Sequence, residues 1–307
     1  MNKPDGAAQD QSGGRLDGWL IIDKPLGRSS AQIVGRIKYL IKQVGSGLKV
    51  GHGGTLDPLA TGVLPIAIGE ATKTVAYVMD GSKAYRFTVK WGEARDTDDA
   101  EGEISETSEN RPTGPEIEAV LGNFVGEISQ MPPKYSAIKI SGQRAYALAR
   151  ANKEVTLAPR QVEITRLTLL GHDLDTATFD VTCGKGTYIR SLARDLAVSL
   201  GTVGHVSDLR RTRVGPFEEN SAISLDKVES LVHSARLAAH VLSVEAPLAD
   251  IPALELNELD AKRLRFGQAI AVTGADVQTI RARSGERLVA LARIETGKLR
   301  PLRVFNL

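Results

Sequence analysis

The residues best suited to chemistry lie in one stretch, Gly51-His52-Gly53-Gly54-Thr55-Leu56-Asp57-Pro58-Leu59-Ala60-Thr61-Gly62-Val63-Leu64-Pro65. Glycines permit positive φ and close approach of another backbone, while Pro58 fixes its own φ and stiffens the residue before it. The composition predicts a rigid, non-repetitive loop holding Asp57 in one place. From Val44 to Glu70 the ionisable side chains are Lys49, His52, Asp57 and Glu70, so Asp57 has no acidic neighbour in the loop. Three readings compete. Asp57 caps a short helix or closes an Asx turn; the glycines cradle a phosphate; or Asp57 is a lone catalytic carboxylate. The phosphate cradle lacks the Gly-x4-Gly-Lys-Ser/Thr pattern, and no lysine follows the glycines.

Two further segments carry candidate groups. Tyr85-Arg86-Phe87-Thr88-Val89-Lys90-Trp91 alternates strictly, which places Tyr85 with Phe87, Val89 and Trp91 on one face of a strand and gives it a plain reading as a core aromatic. Gly184-Lys185-Gly186-Thr187 turns into a helix with Ile189, Leu192, Leu196 and Leu200 on its buried face, and Gly201 stops it. Tyr188 and Arg190 open that helix. A cation in a first turn opposes the helix dipole, so Arg190 either answers a carboxylate elsewhere or is an ordinary surface arginine.

The positioning elements follow in order. Residues 1–16 are expected to be a disordered tail. Trp19–Ile22 reads as a buried strand. Ser29-Ser30-Ala31-Gln32 is a capping box that opens a helix with Ile33, Ile37, Leu40, Ile41 and Val44 at helical spacing. After the loop, Val63–Ile68 is a short buried strand, and Ala71–Met79 is expected to be helical. Thr113-Gly114-Pro115-Glu116 is a second capping box, ahead of Ile117, Val120, Leu121 and Phe124. Gln130–Ala137 is a stiff segment leading into a basic helix around Arg144–Arg150, an RNA-gripping insertion over about 130–155. Strands follow at Val162–Leu169 and Thr178–Cys183. Ala246–Pro252 is a candidate linker. Beyond it, a helix (Leu259–Phe266) and β segments near Ala269–Thr273, Arg287–Ile294 and Leu299–Phe305 suggest a small β-barrel-like module.

Length and composition permit one large domain and a small one. Cys183 is the single cysteine, which excludes an internal disulfide and a thiolate metal cluster. No apolar run reaches membrane-spanning length, and the N-terminus lacks a signal-peptide pattern, so a soluble, cytoplasmic protein is expected. The net charge is only +2, yet charge is segregated. Basic residues dominate 15–56 and 131–160, and 262–303 holds ten Lys or Arg. Glu93, Asp96, Asp98, Asp99, Glu101, Glu103, Glu106 and Glu109 concentrate the compensating acid, which is expected in a surface loop or hairpin. Such segregation suits a polyanion-binding face, or simply solvated patches.

Taken together, the Gly51–Pro65 loop, Asp17-Gly18-Trp19-Leu20, Lys24-Pro25, Lys83–Phe87, Met131–Ala137, Gly186–Leu196 and Leu209-Arg210-Arg211 resemble the TruB family of bacterial tRNA pseudouridine synthases. The resemblance covers nearly all of residues 17–250. It implies an α+β protein with the pseudouridine synthase fold: a mixed, largely antiparallel sheet with flanking helices over 17–245, and a small C-terminal β-rich PUA-like RNA-binding domain over 246–307. It also implies isomerisation of uridine to pseudouridine in the tRNA T loop, at position 55. Asp57 then corresponds to the family's catalytic aspartate, Tyr85 to its active-site tyrosine and Arg190 to the arginine paired with the aspartate. His52, Tyr188 and Leu209 match positions that contact the RNA or the target nucleotide. Lys24 and Arg210 join that RNA-contacting set, although Lys24-Pro25 matches a motif of structural rather than catalytic character.

This reaction cleaves and re-forms a glycosidic linkage without redox change, so one carboxylate and no metal or organic cofactor is expected. Asp57 attacks the sugar or the base, or removes a sugar proton; each route uses an ionised aspartate. Tyr85 stacks on the uracil or helps to move the C5 proton. A base inside a folded T loop has to be flipped out, and His52 is either a wedge into the vacated space or a structural histidine. The expected partner is the tRNA T stem-loop, with the protein a monomer needing no obligate protein partner. The rivals are a tRNA-binding or folding module with little or no catalysis, and an RNA-guided relative working inside a ribonucleoprotein.

Overall fold

The computed structural model describes residues 16–44, 47–135, 139–140, 143–144 and 157–307. Strand β1 (Gly18–Lys24) leads through a turn into α1 (Ser30–Gln43). The Ser29–Gln32 capping box is present, and Ile33, Ile37, Leu40 and Ile41 are the buried stripe; Val44 is the exposed C-cap. Strands β2 (Val50–His52) and β3 (Thr61–Ile68) flank the glycine-rich loop. A 3-10 turn (Gly69–Thr74) and α2 (Val75–Asp80) form the segment expected to be one helix. Then come β4 (Lys83–Trp91), the hairpin β5 (Glu93–Arg95) and β6 (Ile104–Thr107), α3 (Gly114–Leu121) with its capping box, and β7 (Gly126–Gln130). Lys139–Ile140 and Gln143–Arg144 pair as short strands; otherwise the helix expected around Arg144–Arg150 lies outside the described residues, as does nearly all of the expected 1–16 tail. Strands β8 (Arg160–His172) and β9 (Thr176–Cys183), helix α4 (Ile189–Ser199) and strand β10 (Gly204–Val214) complete the frame of the site.

The main sheet runs β1-β3-β10-β4-β9-β8-β7. Neighbours along this run are antiparallel except β3 and β10, which run parallel with Arg210 opposite Thr61 and Arg211 opposite Gly62; the short strand Ile223–Ser224 extends the sheet parallel to β1. The sheet is thus mixed and largely antiparallel. Strands β1 and β3 are apolar on both faces because both are covered. Leu20, Ile22, Leu64 and Ile66 pack with α1 and α4 residues such as Ile37 and Leu192, while Trp19, Ile21, Val63 and Ala67 pack with Leu288, Leu291 and Phe305 from the C-terminal module.

That module is a five-stranded sheet built from β11 (Ala253–Glu255), β12 (Ile270–Ala271), β13 (Val277–Ser284), β14 (Arg287–Glu295) and β15 (Lys298–Val304), in the order β11-β13-β14-β15-β12. Helix α5 (Glu258–Arg265) closes its own core through Ala261 and Leu264. The sequence pattern missed β11 and β13. In β13 the arginines that suggest solvent instead face Glu245, at 3.2 Å from Arg281 and 3.4 Å from Arg283. The proposed linker is also packed structure, for Leu248 is fully buried in the cluster shared by the two parts.

Candidate active site

Asp57 sits in the loop between β2 and β3, and almost every residue around it is tied down. Ser30 Oγ, at the start of α1, accepts from Leu56 N at 2.8 Å and donates to Leu56 O at 2.9 Å. Gly53 N donates to Pro65 O, Gly27 N to Pro58 O, and Ala60 N to Asp57 O. Gly54 and Gly62 have φ of 132° and 97°, values that side chains rarely adopt, so the glycines are required by conformation here.

Helix α4 presents Arg190 to this loop. Arg190 Nη2 lies 2.9 Å from Asp57 Oδ2, with the arginine side chain 7% exposed and the carboxylate 42%. The same guanidinium lies 3.2 Å from Asp99 Oδ2 and donates to the carbonyls of Thr97 and Tyr135, both at 2.9 Å. One helical turn on, Arg194 lies 2.9 Å from Asp98 Oδ2. The tip of the β5–β6 hairpin is therefore counter-charge for α4. The expected hairpin is present, but its tip packs on α4 instead of forming a solvated patch. The structure also corrects the idea that Asp57 is isolated from other acid. In space a second carboxylate, Asp99, stands across Arg190, and the field of Asp57 adds to burial and Asp99 in raising the Glu101 carboxyl. Close pairs across more than ninety residues leave no trace in local spacing.

Asp57, Tyr85, Tyr188, Arg190 and Leu209 share the lining of one cleft of about 580 Å³. Leu56, Ala60, Met79, Val162 and Ile189 supply apolar wall, and Lys83, Arg160, Lys185 and Arg211 supply cations. Tyr85 is half-buried at the end of the apolar face formed by Phe87, Val89 and Trp91, and burial raises its hydroxyl above the ordinary tyrosine value. Tyr188 is the N-cap residue of α4; its N–H donates to Gln130 Oε1 at 2.8 Å and its carbonyl accepts from Gln130 Nε2 at 3.1 Å. The buried Gln130 amide thus fixes the entry to the helix that carries Arg190.

The remaining expected residues are placed differently. His52 ends β2, half-buried, with Nδ1 accepting from Gly54 N at 3.3 Å, and it is not in the cleft lining. Lys24, expected among the RNA contacts, is fully buried. Its Nζ donates to the carbonyls of Pro25, Arg28 and Pro58 at 2.9, 2.6 and 3.2 Å, and burial lowers it to about 8. Its ammonium is turned inward because these carbonyls converge on it, so it braces the loop from below. Arg210 is committed to carboxylates, bridging Asp23 at 3.0 and 3.1 Å and Glu219.

Two groups that sequence reading passed over are Asp99 and Arg211. Arg211 is 1% exposed and donates to Val63 O, Thr55 O and Gly54 O at 2.8, 3.2 and 3.1 Å. Their charges are visible in the sequence, but only the sheet register and the hairpin place them at the loop. Among the described residues no group of His, Cys, Asp and Glu is arranged to hold a metal ion, and no helix is long and apolar enough to cross a membrane.

Solved structures share this fold. A chain of an H/ACA ribonucleoprotein bound to a substrate RNA containing 2′-deoxyuridine superposes with a TM-score of 0.71 at 23% identity, over 95% of this chain and 86% of that one. A chain of a Cbf5-Nop10-Gar1 complex gives 0.71 at 24% identity, over 98% and 91%. The fold is that of the pseudouridine synthases, with a C-terminal curled β module of PUA type. The TruB family pseudouridylate synthase N-terminal domain matches residues 40–189, and the tRNA pseudouridylate synthase B C-terminal domain matches residues 190–249. Curated relatives named tRNA pseudouridine synthase B are 52% identical in Rhodospirillum rubrum, over 96% of this chain and 98% of the relative, and 49% identical in Caulobacter vibrioides, over 98% and 99%. This chain belongs to the TruB family and is a pseudouridine synthase.

Proposed function

We propose that the protein isomerises uridine to pseudouridine in the T loop of tRNA, at position 55, with the target nucleotide flipped into the cleft beside Asp57. The observation that carries this reading is the Asp57–Arg190 contact of 2.9 Å at the cleft wall, with Tyr85 and Leu209 lining the same space. The relatives' names supply the tRNA substrate.

The reaction breaks the N1–C1′ bond, turns the uracil and forms a C5–C1′ bond; C5 gives up its proton and N1 gains one. No oxidant or external nucleophile enters the balance. An ionised Asp57 serves at the sugar or the base, and Arg190 stabilises its charge in a site partly withdrawn from water. Apolar wall and the Tyr85 ring give the extruded base a surface to stack on, which offsets the stacking lost from the RNA. Supply of the tRNA requires no second protein in this reading, and the site works in a monomer.

Release of tritium from C5-labelled tRNA tests the proposal. The native chain should release label stoichiometrically from a bare T-arm stem-loop, while Asp57→Asn should bind that RNA and release none. Absence of release by the native protein on full-length tRNA would overturn the enzymatic reading. Arg190→Ala should retain RNA affinity and lose roughly a hundredfold to a thousandfold in single-turnover rate, the usual cost of removing a preorganised electrostatic partner. Near-native turnover in that variant would remove the pair from the mechanism.

A further inference from the structure

Arg211 has no carboxylate partner within ion-pair distance among the described residues, although it is buried deep in the sheet. A guanidinium taken out of water needs its N–H groups met, or its burial is prohibitively unfavourable. Three go to backbone carbonyls, and two of those belong to Gly54 and Thr55, three and two residues ahead of Asp57. Tyr85 and Arg211 line the same cleft.

The sheet explains the convergence. Arg211 lies opposite Tyr85 in the antiparallel β4–β10 pair and opposite Gly62 in the parallel β3–β10 pair. Cross-strand partners project from the same face, so Tyr85 and Arg211 meet below the loop. Gly62 permits the approach: a Cβ there would stand 2.2 Å from Arg211 O. Burial disfavours the cationic form of Arg211, and the carboxylate of Asp57 works in its favour.

We infer that Arg211 is a positioning residue for the isomerisation: one buried guanidinium ties the backbone ahead of Asp57 to the strand position opposite Tyr85, holding the two groups in register across the cleft. This rests on the proposed reaction at Asp57, but one arm of its test is independent of turnover.

In the first arm, single-turnover rates and RNA affinity are measured for Arg211→Lys, Arg211→Gln, Tyr85→Phe and the double variants, with thermal midpoints recorded. Lysine keeps the charge and loses the fork; glutamine keeps a donor and loses the charge. Arg211→Lys should bind T-arm RNA within about threefold of native and react at least about tenfold more slowly, and its effect should shrink in the Tyr85→Phe background, since coupled groups are not additive. Native rates, or losses that multiply independently, would overturn the inference. The second arm leaves Arg211 in place. In protein labelled with 15N-arginine, a slowly exchanging guanidinium signal, assigned by its absence from a folded Arg211 variant or by its coupling to Val63, should shift in Tyr85→Phe. An unchanged signal would show that Arg211 does not hold the tyrosine, whatever the outcome of the activity assays.

Discussion

Buried cations do unlike work in this site. Arg190 meets carboxylates, Arg211 meets loop and strand carbonyls opposite Tyr85, and Lys24 meets the carbonyls below the loop. Lys24 is brought into an accessible titration range, because burial lowers it to about 8. In the unfolded chain a lysine keeps its proton up to about 10.4. Between these values the unfolded state binds more protons than the folded one, so the group's contribution to stability rises with pH; below about 8 both states are protonated and the burial penalty is fully present. Urea unfolding of the native chain and of Lys24→Met should therefore diverge from about pH 7.5 to about pH 9.5, the native chain gaining relative to the variant. A constant difference would show that Lys24 titrates normally. Asp57, Tyr85, Tyr188, Arg190 and Leu209 were legible because motif and resemblance carried them. Asp99 and Arg211 were not, since what marks them is a partner far away in sequence, Arg190 on α4 for Asp99 and the loop carbonyls for Arg211, and charge in a sequence reads as solvent-facing until a partner is known. Lys24 was misplaced for the same reason.

The elements follow local chemistry closely. Both capping boxes open helices where the spacing put them, the alternation in β4 buries Phe87, Val89 and Trp91 as expected, and β9 buries Phe179, Val181 and Cys183 by the same alternation. What local pattern could not supply was the parallel junction of β3 and β10, which alone puts Arg211 beneath the loop. Gly62 is the element-level constraint there, through its φ of 97° and the 2.2 Å approach of a carbonyl. Gly62→Ala should destabilise the fold by about 2–4 kcal/mol, more than an unstrained glycine replacement, and should lower turnover at temperatures where it remains folded. Equal stability in chemical denaturation would mean that β3 can slide away from β10. On β9, burial raises the Cys183 thiol to about 11. A disulfide reagent at neutral pH should leave it unmodified in the native protein and react once the chain is unfolded; rapid native labelling would place that strand nearer solvent.

At the scale of the molecule, the C-terminal module combines a basic, partly apolar surface with a tight seat on the catalytic part. Lys262, Arg263, Arg265 and Phe266 are exposed on and beside α5. Neutralising the three cations should weaken tRNA binding and reduce the slope of log affinity against log salt by about 2, the expectation for lost phosphate contacts. An unchanged slope would place the module away from phosphate.

The seat itself is specific. Lys73 Nζ lies 2.6 Å from Glu70 Oε2 and donates to Val304 O at 2.8 Å, Asn306 N donates to that same Glu70 oxygen at 2.8 Å, and Phe305 is wholly buried between the two parts. A module on a slack tether would search for its ligand independently, with an effective concentration set by linker length. Clamped in this way, it resembles the second jaw of a caliper whose opening is set by the protein alone. Under the function proposed above, an RNA that spans both jaws is expected to bind only if its own length between the two contacts matches that opening, so that overall shape rather than base sequence sets this part of the affinity.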